Sequence, residues 1–305
     1  MKEKQQRLIN VRLVGLFMLY WPMPEAVQTV AHEVSLRQEG EVDVIGKMYY
    51  DRLLRSFKAD RGSIPCPSVL VSSPSFDTKA NLMKEVLVAA SQDYHNAQRR
   101  ALVRDGFRCV VTGRYDTSLG EKTKELHNEI MASGKGTGTI QCAHILPEIT
   151  NALVAAPDTE HGKGYVGSVW AMDAPHGVDI HHLENVVTMC YDVRQKFAKL
   201  NLWFIETDIS NKYELHASHD YFISGYPQTV TFKNHSDHNF PLPSPTYLKV
   251  HAACARIARL SGATAQINEI LMDMEDIQVL AEDGTSADLL GHAITALDPR
   301  LPFPS

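Results

Sequence analysis

The chain of 305 residues has no CxxC pair, and its five cysteines, at 66, 109, 142, 190 and 254, are odd in number and scattered. That pattern argues against a disulfide framework and against a four-cysteine zinc knuckle. No apolar stretch is long enough to span a bilayer, so no membrane partner is expected. Internal repeats and low-complexity tracts are missing too, which excludes solenoid architectures. Basic residues are not in excess: 30 Lys and Arg stand against 36 Asp and Glu, for a formal charge of −6 and a pI near 6.1. A protein that coats nucleic acid non-specifically needs a broad basic surface, and this chain does not have one. The expected location is cytoplasmic or nuclear.

The apolar content is sufficient for a folded protein. With 44% hydrophobic and 22% charged residues, the chain can offset the entropy of ordering itself, and its length fits one large domain or two closely packed ones. Basic residues gather locally at Arg99, Arg100, Arg104, Arg108 and Arg114, followed by Lys122 and Lys124. This cluster is read either as a phosphate track or as a solvated helix face.

Periodicity gives an outline of the elements. The apolar run Val14–Tyr20 follows basic residues as a secretory leader would, but it is brief and has no small-residue cleavage site after it, so a buried strand is expected over Leu8–Tyr20. Helices are expected near Pro24–Leu36, where Pro24 suits a first turn, and near Val42–Lys58, where Ile45, Tyr49, Leu53 and Phe57 form a stripe. Gly62–Phe76, rich in proline and serine, reads as a linker. A helix capped by Asp77 is expected to run to about Arg104. Alternation over Tyr221–Phe232 predicts strands, Tyr247–Leu260 has helical period ending at Gly262, and Ser286 begins a last expected helix through Leu297.

Three segments carry the chemistry. In Arg99–Gly113, RRALVRDGFRCVVTG, a helix feeds an Asp105-Gly106 turn and a short strand, with Cys109 and Gly113 marking its hairpin. In Gln141–Glu148, QCAHILPE, His144 sits at a strand end and Pro147 turns the chain. In His181–Phe204, HHLENVVTMCYDVRQKFAKLNLWF, Asn185 precedes a helix anchored by Phe197 and Leu200. Arg108–Val111 and Gln141–His144 are expected to form the hairpin, with Thr188–Leu200 a helix packed across it, because Met189, Val193, Phe197 and Leu200 recur at helical spacing.

Taken in order, these segments resemble the fungal branch of the HNH-type endonucleases, whose fold is a ββα-metal hairpin and helix. Thr246–Ala263, TYLKVHAACARIARLSGA, resembles the same branch. The resemblance implies an α+β fold: an HNH-like core elaborated by an N-terminal strand and helices and by C-terminal strands and helices. It divides the chain into an accessory region at 1–96, the core with insertions at 97–240 and a helical region at 241–305. It further implies hydrolysis of DNA phosphodiesters with a divalent metal, His144 as general base and Asn185 as the residue fixing the hairpin.

At the position of the last metal-ligand histidine stands Arg194, which has no lone pair and cannot ligate a cation. Nearby alternatives are Asp192, His182 and Cys142, together with His181 and Cys190; a carboxylate suits Mg²⁺, and thiolate with imidazole suits Zn²⁺. Three functions follow as expectations. The first is a nuclease-like protein whose cleavage is weakened or lost. The second is the same scaffold acting on a small anionic molecule, with His144 as acid or base, Arg194 as anchor and the insertions Asp116–Thr139 and Thr150–Asp179 as lids. The third is a non-catalytic module that binds nucleic acid or protein.

Overall fold

The computed structural model describes residues 2–38, 40–54, 57, 78–90, 96–147 and 182–265. These form an α+β protein with helices and small sheets. The expected linker at 62–76, the Asp77 cap, the insertion at 150–179 and the helix beginning at Ser286 lie outside the described residues. No helix among the described residues is long and apolar enough to cross a membrane.

Two compact units are present. Of the described residues, those up to 57 and from 253 onward form one unit, and those at 78–146 and 182–252 form the other. The first unit is helical, with α1 over Lys2–Tyr20, α2 over Pro24–Leu36 and α3 over Val42–Tyr49, the last continuing as a π turn through Leu54. The strand expected at Leu8–Tyr20 is therefore a helix. Ile9, Leu13 and Phe17 are buried at intervals of four, whereas Leu19 is 75% exposed. The long apolar run thus covers two faces of a helix, only one of which is packed. Phe17 stacks on Trp21 and Tyr49 with ring centroids 4.5 and 4.8 Å away. Gly46 is needed at this crossing, because a Cβ there would lie 1.9 Å from the carbonyl oxygen of Asn10. The stripe Ile45, Tyr49, Leu53, Phe57 is buried throughout.

The second unit holds the three motif segments. Helices α4 (Lys79–Ala90) and α5 (Asn96–Arg104) pack together, and α5 ends where Gly106 and Phe107 both take left-handed φ, of 70° and 59°. After this come β1 (Tyr115–Asp116), α6 (Thr117–Lys122), α7 (Lys124–Ser133) and β2 (Thr137–Gly138), so the insertion at 116–139 is largely helical. Next, β3 (Ile140–His144) pairs antiparallel with β4 (Val186–Cys190), which leads directly into α8 (Tyr191–Ala198). Both α5 and α8 pack on this pair. A meander of β5 (Leu202–Glu206), β6 (Lys212–Ala217) and β7 (Thr229–Thr231) follows, and then α9 (Pro245–Ser261), whose residues from 253 onward belong to the first unit and which ends at Gly262 with φ of 89°.

The hairpin partner differs from expectation. Arg108–Val111 makes one isolated bridge, Arg108 with Tyr115, and one bond from the Val110 amide to Thr188 O at 3.0 Å. The segment turns instead over residues 110–112, closed by Gly113 N donating to Cys109 O at 2.9 Å, and so does not run on as a ladder. Thr188–Cys190, expected as the start of a helix, are strand, because Val186–Cys190 is a fully buried run rich in β-branched side chains. The helical spacing of Met189 with Val193 is fortuitous, since the first belongs to β4.

Candidate functional site

His144 ends β3, half-buried, opposite Val186 in the ladder. Beside it, Asn185 closes a 3₁₀ turn, Leu183–Asn185, and is fully buried. Its side-chain oxygen accepts from the Leu146 amide at 2.9 Å, and its Nδ2 donates to Leu146 O at 3.1 Å. The main-chain oxygen of Asn185 also accepts from the Ile145 amide at 2.8 Å. The two residues following His144 are thereby tied to the residue preceding β4. Only a carboxamide presents an acceptor and a donor together in this way, and a buried polar group left without its bond costs about 1–3 kcal/mol.

Arg194 lies on α8 and is 5% exposed. Its Nε donates to Cys142 O at 3.1 Å, which places a permanent cation against the strand that carries His144, two residues away from it. The remaining proposed ligands turn elsewhere. Asp192 accepts from the Tyr226 hydroxyl, which itself accepts from Lys196 Nζ at 2.9 Å. Cys142 Sγ donates to Gln98 O at 3.5 Å on α5, and His182 is exposed, with its carbonyl taken by the Asn185 amide. His181 lies outside the described residues. Among the described residues no three His, Cys, Asp or Glu side chains come together as a group that could hold a metal.

Cys109 and Gly113 do mark a tight turn: Gly113 N donates to Cys109 O at 2.9 Å, and Cys109 N donates to Arg114 O at 2.8 Å. Its sulfur accepts from the Thr112 amide and hydrogen-bonds Cys190, whose sulfur is 3.4 Å from Thr112 Oγ1. Burial pushes the Cys109 thiol up, but the hydrogen bonds from Cys190 and Thr112 outweigh it and hold Cys109 below the usual thiol range. Cys190 is pushed up by its bond to Cys109 and by burial.

The turn is anchored from below by a buried knot. Arg104 is fully buried, and its guanidinium forks onto both carboxylate oxygens of Asp105 at 2.7 and 2.9 Å. It also donates to Leu183 O and Val186 O, while Asp105 accepts from the Thr188 amide and hydroxyl. Removing one partner of such a buried pair costs about 3–5 kcal/mol. The basic cluster read from the sequence is thus divided: Arg104 is structural, whereas Arg100, Arg114 and Lys124 are exposed. The Cys109–Cys190 contact carries no local signature, and although Arg104 and Asp105 are adjacent, the partners that bury their knot, Leu183, Val186 and Thr188, are distant in sequence.

A cavity of about 870 Å³ opens at the Cys109–Gly113 turn, and neither His144 nor Arg194 lines it. The small-molecule site expected around His144 with Arg194 as anchor is therefore not this cavity. Compared with family models, with curated proteins and with solved structures, the chain matches none.

Proposed function

We propose that this protein is an HNH-type nuclease-like protein, derived from a metal-dependent DNA phosphodiester hydrolase whose cleavage is weakened or lost. The observation that carries the reading is the clamp of Asn185 on Leu146, which fixes the chain next to His144 at the mouth of a β-hairpin followed by a helix. In this reading His144 takes a proton from the attacking water, a role suited to an imidazole because its ordinary pKa lies near working pH. Asn185 positions it. A metal, when bound in an intact site of this kind, neutralises charge on the phosphate and the leaving oxygen. Arg194 supplies positive charge near the same strand but no lone pair, which is why weak turnover is expected.

Plasmid nicking with Mg²⁺, Mn²⁺ and Zn²⁺ tests the reading on wild type and His144→Ala. Slow relaxation of supercoiled DNA that disappears in His144→Ala is the expected result. Vigorous cleavage that persists in His144→Ala removes His144 from the chemistry and the reading with it.

The burial of Arg194 against Cys142 O favours a second reading, a module that binds without cutting. A cation engaged in holding a helix to a strand is structural, and a site that has exchanged ligand for brace retains the scaffold alone. Saturable binding of DNA with no nicking under any of the three metals would separate this reading from the first.

A further inference from the structure

The cavity at the Cys109–Gly113 turn concentrates positive charge in a chain whose net charge is −6. Arg108, Arg114, Lys135 and Lys233 all line it. Their placement is built by the backbone. The His235 amide donates to Arg104 O at 2.7 Å, so the segment carrying Lys233 and His235 is tied to the end of α5. Arg108 Nη2 then stands 2.7 Å from His235 Nε2, and Nη1 donates to the Tyr115 hydroxyl at 3.2 Å. On the other side of the turn, Lys135 passes over Gly113, beside Arg114: a Cβ on Gly113 would lie 3.6 Å from the lysine Cδ.

Asp105 is the acidic residue on the wall, and Arg104 and Thr188 already engage both of its oxygens. Outside the wall, Glu129 lies close enough to Arg108 to feel its charge, but it is engaged by Lys79 Nζ at 2.7 Å and by the Tyr115 hydroxyl at 3.0 Å. Among the described residues, Arg108, Arg114, Lys135 and Lys233 form no ion pair. Four like charges around one cavity repel each other, and an anion with several oxygens relieves that repulsion most effectively. The wall also presents apolar surface at Val110, which is half-buried, and Pro227, which is exposed, and a simple inorganic ion would leave both uncovered. The volume falls in the range of small-ligand sites, roughly 300–1,000 Å³.

We propose that this cavity binds a phosphate ester, its phosphate held by Arg108 and Arg114 with the two lysines and its organic part lying against Val110 and Pro227. The phosphate has two possible sources, a free mononucleotide or the end of a nucleic-acid strand, and the chemistry of capture is the same. Binding is measured without turnover, so it stands or falls separately from the nuclease reading.

The test is calorimetry on the full chain with adenosine, adenosine 5′-monophosphate and a 5′-phosphorylated single-stranded oligonucleotide. It is repeated with Arg114→Gln/Lys233→Gln, both exposed positions, after circular dichroism confirms an unchanged melt. Adenosine 5′-monophosphate is expected to bind, adenosine not, and the double variant to weaken binding about tenfold or more. Binding of the oligonucleotide alone, weakened by the same variant, supports the cavity with a strand as the source. Binding of adenosine as tight as that of its monophosphate, absence of binding by both phosphate probes, or affinity unchanged in the variant overturns the proposal.

Discussion

His251 ties the stability of the second unit to pH. It lies on α9 and is 1% exposed, its ring stacked on Phe197 at 3.9 Å with an 11° tilt and its Nε2 3.1 Å from Phe197 O. Burial pushes its pKa from the ordinary 6.5 down to about 3, and the bond to Phe197 O opposes the shift only in part. The folded state therefore holds a neutral imidazole that the unfolded chain protonates more readily. Stability from this group is fully present above 6.5, declines as pH falls below that value, and stops declining near 3. Between pH 7 and pH 5 the loss from this one residue is about 2 kcal/mol. Urea unfolding of wild type and His251→Leu at pH 7, 6 and 5 isolates it, because the carboxylates titrate alike in both. The variant is expected to be less stable at pH 7 and to lose about 2 kcal/mol less on acidification. Parallel curves for the two proteins would refute the assignment of the acid sensitivity to His251.

Asn185→Asp keeps the acceptor but removes the donor to Leu146 O, and is expected to lower unfolding free energy by about 1–3 kcal/mol in urea titration; an unchanged midpoint would dismiss the clamp. Cys190→Ala removes the main hydrogen bond that holds Cys109 down, so the Cys109 thiol should titrate at higher pH, as read by thiolate absorbance and alkylation rate. An unmoved Cys109 titration would mean that Cys190 plays no part. Arg194→His replaces a guanidinium with a lone-pair donor, and the variant is expected to nick plasmid faster than wild type in Mg²⁺ or Mn²⁺. Robust wild-type cleavage abolished by Arg194→His would instead assign the arginine a direct part in the reaction.

What could be read from the sequence was whatever is encoded within one or two turns of chain. Pro24 at a helix start, the four-residue stripe from Ile45 to Phe57 and the glycine after the last alanine-rich helix each act locally, and the corresponding elements are present. Asn185 and His144 stand out through the family resemblance and not through periodicity, which puts a helix after Asn185 where β4 stands. The N-terminal run misled because its apolar residues are contiguous: a strand buried on both sides and a helix with two apolar faces share that pattern until packing chooses. Which segment pairs with Gln141–His144 was equally undetermined, because Arg108–Val111 and Val186–Cys190 are both short and apolar. The turn from Cys109 to Gly113, whose last residue takes φ of 72°, breaks off the first of them, through backbone angles that hydropathy does not record. Arg104 read as part of a basic surface, yet its neighbour Asp105 and three carbonyls enclose it.

The strands of the β3–β4 ladder are separated by roughly forty residues of chain, a ring far larger than an ordinary two- to five-residue hairpin loop. Closing such a ring costs about 2 kcal/mol more than closing a four-residue turn. The β5–β6–β7 meander has no such burden and can form from neighbours alone, so a natural order of assembly has the meander first and the ladder last, completed when Asn185 engages Leu146. The same logarithm makes the connecting segment permissive: doubling its length would add only about 0.6 kcal/mol to closure, so insertions there would tax the folding of the His144 strand very little.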